Sequence, residues 1–234
     1  MKRIIKISVI LLLVGMAVIA AVPFFKEKRA ERKYENEFKN IQESVTEKKS
    51  DVNGLVKKNK DCIGYVEIPG TTINYPVMQT KDNPDFYLNH DFNRNYSFYG
   101  TPYLSAYCDV KKSDGLIIYG HNINGGKMFG ALEQYKNKEF FYKHKKIYFT
   151  TDKKREYEVF AVMSVNIHKF EYWKFVMARD KKEYDEFVDK VEEHSLWRQG
   201  NKPKYGEQML ILSTCDNGKG DDWRIVLIAK CVYS

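Results

Sequence analysis

Cys215 is the residue in this sequence that is best placed to act as a nucleophile. It ends the apolar, strand-like run MLILSTC at residues 209–215, and the polar loop DNGKGDD follows it at residues 216–222. A thiol at the point where a strand opens into a loop is within reach of a substrate, and its ionised form is a strong nucleophile. Most cysteines without a function are small, buried and apolar. That interpretation is the more natural one for the other three, Cys62, Cys108 and Cys231.

His121 is the candidate partner of this thiol. It lies in the segment LIIYGHNINGG at residues 116–126, where a second apolar run opens into a glycine-rich loop. An imidazole beside a thiol accepts its proton or, when charged, lowers the thiol pKa, and it later protonates a leaving amine. The remaining histidines lack this setting and are interpreted as surface or capping residues: His90, His144, His168 and His194.

Arg224 is the third candidate. It stands near the start of the apolar run at residues 223–231, nine residues after Cys215, so a chain that returns to the sheet would bring its side chain back beside the thiol. A guanidinium carries five donors in a fixed plane and is suited to a developing oxyanion. A second interpretation stays open, a salt bridge from Arg224 to Asp221 or Asp222.

The segments around these residues predict a β-rich domain. Seven short stretches rich in Val, Ile and Tyr are bounded by turn residues, at 64–68, 73–78, 115–119, 146–151, 156–165, 208–214 and 223–232. Helices are predicted at residues 128–135 and at residues 180–196, where apolar residues follow the i, i+3, i+4, i+7 spacing. Because strands do not alternate regularly with helices, we expect a mostly β domain, closed as a barrel or sandwich, with peripheral helices.

The N-terminal part of the chain differs in composition from the rest. Residues 7–25 form a run of 19 residues without a charge, which predicts a transmembrane helix and a single-pass membrane anchor at residues 1–25. A cleaved signal peptide is the alternative, although its apolar run is usually shorter. Residues 26–54 are highly charged but carry an apolar stripe, which predicts an amphipathic helical linker. The domain that holds the three candidate residues is expected to span residues 55–234.

The chain is basic, with 39 Lys plus Arg against 31 Asp plus Glu and a formal charge of +8. No long basic run, zinc-finger pattern or RNP signature accompanies this charge, so we expect no nucleic-acid partner. A solvated surface near anionic lipid or a wall polymer fits better. More basic residues follow the uncharged run than precede it, which on its own favours a cytoplasmic domain.

Three other patterns are incomplete. The segment NGGK at residues 124–127 lacks the first glycine and the final Ser or Thr of a phosphate-binding loop. The acidic loop at residues 216–222 lacks the alternating ligands and the closing Glu of an EF-hand. No Cys and His spacing matches a zinc site, and there is no CxxC pair. We therefore expect no metal and no cofactor. One disulfide among the cysteines other than Cys215 stays open.

The order and setting of the three candidates resemble the sortase cysteine transpeptidases. The shared features are His121 after a strand and a glycine, the segment LSTC at residues 212–215, and Arg224. The family's motif is TLxTC, and Ile211 stands where its Thr would be. In class B members a Glu often follows the cysteine, and Asp216 stands there in this chain.

Further segments resemble the class B branch of that family. They are INYPV at residues 73–77, YLNHDF at residues 87–92, and YGHN at residues 119–122 followed by Met128-Phe129. A long helix between the sixth and seventh strands also agrees. The similarity spans roughly residues 60–232.

This resemblance implies an eight-stranded β-barrel with N-terminal helices, held on the outer face of a Gram-positive membrane. It implies a transpeptidase without a cofactor, whose partners are secreted proteins with a C-terminal, NPxT-like sorting signal. The thiolate attacks the carbonyl after Thr, and an amine of the peptidoglycan precursor resolves the thioester. By position, Cys215 is the nucleophile, His121 the acid and base, and Arg224 the oxyanion or substrate clamp. The residues that would contact the signal are Asn89, Tyr172, Ser213 and Thr214.

Two other functions stay open at this point. An anchored extracellular β-barrel would bind a wall polymer or a protein, with Cys215 buried and inert. A thiol peptidase would resolve the acyl-enzyme with water instead of an amine. Papain-like enzymes place Cys before His in the chain, which counts against that group here.

Overall fold

The computed structural model describes residues 2–47 and 52–233. The chain divides into two compact units, Met1–Glu43 and Ser44–Ser234. The helices and strands in chain order are α1 (Lys2–Glu47), α2 (Val52–Lys58), β1 (Cys62–Glu67), β2 (Asn74–Met78), β3 (Tyr103–Leu104), β4 (Gly115–Tyr119), β5 (Asn122–Ile123), β6 (Lys127–Met128), α3 (Lys138–Lys143), β7 (Lys146–Thr150), β8 (Lys154–Asn166), α4 (Lys181–His194), β9 (Ser195–Arg198), β10 (Met209–Cys215) and β11 (Trp223–Tyr233).

Eight of these strands close into a barrel. Their order is β11-β10-β4-β3-β2-β1-β7-β8, and β8 pairs back onto β11 along most of its length. Strand β9 extends β8 outside the ring, and β5 and β6 form a separate small hairpin. The structure therefore confirms the mostly β class and the closed eight-stranded barrel with helices around it.

Strand β10 lies between β4, to which it is parallel, and β11, to which it is antiparallel. Both of its faces are covered, because every residue from Met209 to Thr214 is buried. A strand that is covered on both faces has a continuous apolar run instead of an alternating one. This is why Met209 to Leu212 form an unbroken apolar run before Ser213, Thr214 and Cys215.

All seven predicted strands are present, with small shifts at their ends. Helix α4 also confirms its prediction: the side chain of Asp180 accepts a hydrogen bond from the amide of Glu183 at its start, and its apolar stripe is buried. The helix predicted at residues 128–135 is instead a 3₁₀ helix at Gly130–Lys136. Strands β3, β5 and β6 and the short helix α3 were not predicted, because so few residues give no usable periodicity.

The single-pass anchor is a correction. Helix α1 contains the uncharged run and continues into the charged segment after it, with Pro23 inside it. In the part of the chain that the structure describes, no helix combines the length and the apolar character needed to cross a membrane. The predicted anchor at residues 1–25 and the single-pass membrane location based on it are therefore wrong.

Residues 26–47 of the predicted linker are helical, as the end of α1. Residues 48–51, where the sequence pattern predicts an interruption, lie outside the described residues.

Candidate active site

The pairing of β4, β10 and β11 brings the three candidate residues to one end of the barrel. Strand β10 pairs with β4 as far as Ser213 opposite Tyr119, and His121 follows two residues after the end of β4. On its other side, β10 pairs with β11 to its last residue, where Cys215 lies opposite Arg224. Arg224, nine residues after the cysteine, is therefore the cross-strand neighbour of Cys215, as the sequence predicts.

A groove of about 580 Å³ opens at this end of the barrel, and all three residues line it. Much of the remaining wall is aromatic, formed by Tyr103, Tyr107, Tyr119 and Trp173. Leu88 and Asp85 come from the loop between β2 and β3. A groove of this size, with mostly apolar and aromatic walls and a few polar groups, is suited to part of a peptide.

His121 is held through both its main chain and its ring. The amide of Phe129 donates to its carbonyl oxygen at 2.9 Å, and its ring Nε2 lies 2.8 Å from the carbonyl oxygen of Leu88. A carbonyl oxygen only accepts, so Nε2 must carry the proton of the neutral ring. Nδ1 is then the nitrogen that is free to accept a proton.

The Leu88 carbonyl is itself fixed by the loop that packs on it. Gly100 has a φ of 58°, and a Cβ at this position would lie 2.4 Å from the Leu88 carbonyl oxygen. The amide of Thr101 also donates to the carbonyl of Tyr87 at 2.9 Å. Only glycine permits so close an approach with this backbone conformation. The ring of His121 is thus oriented by a rigid segment of main chain.

The guanidinium of Arg224 donates to main-chain carbonyls. Its Nη1 binds the carbonyl oxygen of Asp221 and, at 3.0 Å, that of Trp223. Within the described residues no carboxylate forms an ion pair with it, so the salt bridge to Asp221 or Asp222 does not form. These neutral contacts hold the side chain in place and leave its charge without a compensating anion.

The structure brings three of the four predicted substrate residues close to Cys215, and all three are buried. The Tyr172 hydroxyl and Ser213 Oγ are 2.6 Å apart, and both side chains are buried beneath the groove. Burial raises the pKa of Tyr172 to about 12, so its hydroxyl stays protonated. Thr214 is also buried, and within the described residues its Oγ1 has no hydrogen-bond partner. Asn89 is exposed and follows Leu88, outside the groove lining.

The other cysteines lie in different surroundings. Cys62 and Cys108 are buried, and burial raises the pKa of both thiols, to about 12 for Cys62. Cys231 is half-buried on β11, and none of these four described cysteines forms a disulfide. The possible disulfide is therefore not formed. Among the described residues, no group of three or more His, Cys, Asp and Glu side chains is arranged to hold a metal ion.

A chain of polar contacts that the sequence did not reveal lies beside Cys215. Asn122 Nδ2 donates to the carbonyl oxygen of Cys215 at 2.8 Å and to Glu133 Oε1 at 2.9 Å. Lys136 Nζ lies 2.7 Å from Glu133 Oε2 and 2.5 Å from Asp216 Oδ1. Asp216 Oδ2 then accepts from Ser164 Oγ at 2.5 Å. The position of Asn122 directly after His121 was the available signal, but nothing in its residue type indicated these partners.

Asp216 is fully buried within this chain of contacts. Burial alone would raise the pKa of its carboxyl, but the hydrogen bonds from Lys136 and Ser164 and the charge of Lys136 outweigh that effect and lower it. A lowered pKa in the folded state stabilises the fold above the ordinary pKa of Asp. That stability is lost as the pH falls through the folded-state value.

Replacing Asp216 by Asn should lower the free energy of unfolding at neutral pH by about 2 kcal/mol, because the Lys136 ammonium loses its buried anion. The difference from wild type should begin to shrink below about pH 4, where this carboxyl becomes neutral in the unfolded chain, and it should vanish once the pH is below the lowered folded-state pKa. Urea denaturation at a series of pH values measures both effects. Asp222→Asn, an exposed change in the same loop, is the control. A difference that stays constant down to the acid limit would contradict the assignment.

Comparisons with known proteins agree with this geometry. The sortase domain family matches residues 66–232. Sortase B of Staphylococcus aureus (strain NCTC 8325 / PS 47) is 29% identical over 242 residues, which cover 99% of this chain and 98% of that protein. Sortase B of Listeria monocytogenes serovar 1/2a is 30% identical over 193 residues, covering 80% of this chain and 76% of that protein.

A solved structure shares the fold as well. The Staphylococcus aureus sortase B-substrate complex superposes with a TM-score of 0.78 at 27% identity, covering 89% of this chain and 98% of that one. Nearly all of the residues that form the closed barrel are thus also residues that match the sortase domain. This chain belongs to the sortase family, in its class B branch, and is a cysteine transpeptidase.

Proposed function

We propose that this enzyme cleaves a C-terminal sorting signal after Thr through a thioester on Cys215 and transfers the protein to an amine of a peptidoglycan precursor. One observation carries the proposal: a thiol, an imidazole and a guanidinium line one groove at the end of the barrel, and no carboxylate of the described chain is paired with the guanidinium. The Staphylococcus aureus relative is described in complex with its substrate, which supports a peptide occupant for the matching groove. An inert binding module is set aside, because the chain belongs to a family of enzymes.

The first half of the reaction uses all three groups. The Cys215 sulfur attacks the carbonyl carbon after Thr, and its proton goes to Nδ1 of His121, the nitrogen not engaged by the Leu88 carbonyl. The tetrahedral intermediate carries an oxyanion. When it collapses, the C–N bond breaks, the proton passes from His121 to the leaving amine, and a thioester stays on Cys215.

Arg224 is proposed to stabilise the oxyanion. The amide of Asp216, the residue after the nucleophile, donates to the Trp223 carbonyl at 2.9 Å and is therefore engaged in the sheet. The guanidinium lies on the strand opposite Cys215 and keeps further N–H groups beyond those bound to Asp221 and Trp223. A positive donor fixed in place before the reaction stabilises charge that develops only in the transition state.

The second half of the reaction reverses the proton transfers. The incoming amine attacks the thioester carbonyl, Nδ1 of His121 takes its proton, and the C–S bond breaks to release Cys215. The new amide joins the cleaved protein to the wall precursor. If water attacked instead, the product would be the free acid of a thiol peptidase. A mass spectrum of products formed with and without an added oligoglycine acceptor separates these two outcomes.

The predicted substrate contacts take two forms in this proposal. Tyr172 and Ser213 form a rigid floor under the groove, and they act on the signal through its shape. Thr214 offers a buried hydroxyl that a polar group of the bound signal would satisfy. Asn89 lies on the exposed loop next to Leu88 and would contact the signal at the rim.

Brief treatment of the full chain with a methanethiosulfonate reagent at neutral pH should label Cys215 faster than Cys231, which is also half-buried but does not line the groove with His121. Cys62 and Cys108 are buried and protonated, so they should stay unmodified. His121→Ala should slow labelling of Cys215 at least about tenfold, because the thiol loses its base. Peptide mapping by mass spectrometry measures the site and the rate. His144→Ala, a half-buried histidine away from the groove, is the control, and equal labelling rates in both variants would contradict the pairing of Cys215 with His121.

A further inference from the structure

Cys215 has an asymmetric main-chain environment. On one side β11 pairs with it to the end of the strand. On the other side the pairing with β4 ends at Ser213, and the last main-chain bond there runs from the Gly120 amide to the Ser213 carbonyl at 3.1 Å. The chain of β4 then turns away through His121. The carbonyl of Cys215 therefore extends beyond the sheet on the side of its acid and base.

The side chain of Asn122 supplies the missing partner. Its Nδ2 donates to the Cys215 carbonyl at 2.8 Å, where a neighbouring strand would have offered a main-chain amide. Its second N–H goes to Glu133 Oε1 at 2.9 Å. Both partners accept only, so the orientation of the amide is determined. Gly130 packs closely against this side chain, since a Cβ there would lie 3.2 Å from Asn122 Oδ1.

We propose that Asn122 is a positioning residue, whose side-chain amide fixes the main chain of Cys215 relative to the adjacent His121. The proposal rests on the assignment of Cys215 as nucleophile made above. Asn122 is bonded directly to His121 in the chain and hydrogen-bonded directly to Cys215, so one residue links the two reacting groups.

The contacts behind Asn122 make this link rigid. Glu133 is paired with Lys136, and Lys136 is paired with the buried Asp216, which follows Cys215 in the chain. The contacts therefore run from the Cys215 carbonyl through Asn122, Glu133 and Lys136 and return to the Cys215–Asp216 peptide bond. A closed ring in which each donor meets an acceptor holds its members more firmly than separate pairs do.

The test compares Asn122→Ala and Asn122→Asp with Asn217→Ala in the full chain. Asn122→Asp keeps the size of the side chain but removes both donors. Asn217 donates to the main-chain carbonyl of Asn122 at 3.3 Å and has no contact with Cys215, so it is the matched control. The readouts are kcat and KM for a sorting-signal peptide, the rate of Cys215 alkylation by iodoacetamide at neutral pH, and the melting temperature.

We expect both Asn122 variants to lose about 10- to 100-fold in kcat, because a small displacement of the reacting groups is enough for such a loss. KM should stay within about twofold, since the groove walls are unchanged. Alkylation of Cys215 should slow in parallel, whereas Asn217→Ala should behave as wild type. Alkylation needs no substrate, so it tests the positioning role even if the peptide proves not to be a substrate.

Three results would overturn the proposal. In the first, the Asn122 variants match wild type in both kcat and alkylation. In the second, KM rises while kcat is unchanged, which would place Asn122 in substrate binding. In the third, both variants fail to fold, which would make Asn122 a determinant of folding and not of the position of the thiol.

Discussion

Replacing Cys215 by Ala should abolish cleavage of a sorting-signal peptide and leave the barrel folded. In the proposed mechanism the Cys215 sulfur forms the thioester, and no neighbouring group can substitute for it, since the hydroxyls of Ser213 and Thr214 are buried. We expect a loss of at least about 10⁴-fold, the scale on which removal of a catalytic nucleophile acts. Chromatographic assay of the cleaved peptide measures activity, and thermal unfolding measures the fold.

The matched control for this variant is Cys231→Ala. Cys231 is also a half-buried cysteine without a disulfide, but it lies near the far end of β11 and does not line the groove. It should keep wild-type activity, and both variants should lose only about 1 kcal/mol of stability, because each removes one sulfur atom at an incompletely buried position. Retained turnover in Cys215→Ala would exclude the thioester route. Lost turnover in both variants would point to a general effect of cysteine removal.

The positions of Cys215 and His121 at strand ends could be predicted because their strands have a strong sequence signal. Strand β10 is covered on both faces, so it gives an unbroken apolar run, and the change to the polar loop after Cys215 is abrupt. Strand β4 is similar, with a glycine and His121 after it. A cysteine and a histidine at such boundaries are visible in the residue types alone, and they were predicted as the nucleophile and its base.

The contacts that orient these groups could not be predicted in the same way. The ring of His121 is held by the main-chain carbonyl of Leu88, and the carbonyl of Cys215 is held by Asn122. A main-chain carbonyl is present at every residue, so no residue type marks the one that is used. Both contacts join residues far apart in sequence, and only the closed barrel brings them together.

Two further differences between prediction and structure concern strand β3 and the predicted membrane anchor. Strand β3 has only two residues, but it lies between β2 and β4 and is necessary for the ring to close. So short a strand has no measurable alternation of apolar and polar residues. The anchor was predicted from the uncharged run at residues 7–25, whereas in the described part of the chain no helix has the character of a membrane span. The local sequence pattern thus predicted the long strands of the barrel and failed for elements of only a few residues.

The role of Arg224 depends on the shape of its head group as well as on its charge. Its Nη1 is bound to the carbonyls of Asp221 and Trp223, which fixes the plane of the guanidinium. Its other N–H groups then keep a defined direction. An ammonium has the same charge, but it lacks the planar arrangement of donors that can hold two carbonyls and still meet an oxyanion. A lysine at this position would therefore keep the charge but lose the planar donors.

Arg224→Lys should lower kcat for a sorting-signal peptide by about 10²- to 10³-fold, the range observed when an oxyanion donor is removed. Labelling of Cys215 by a thiol reagent should change much less, because that reaction develops no oxyanion. Steady-state kinetics and the labelling rate, measured on the same preparation, separate the two effects. Arg198→Lys is the control, since Arg198 pairs with Glu192 and does not line the groove. Near wild-type turnover in Arg224→Lys would show that positive charge alone is sufficient and would remove the planar donor geometry from the mechanism.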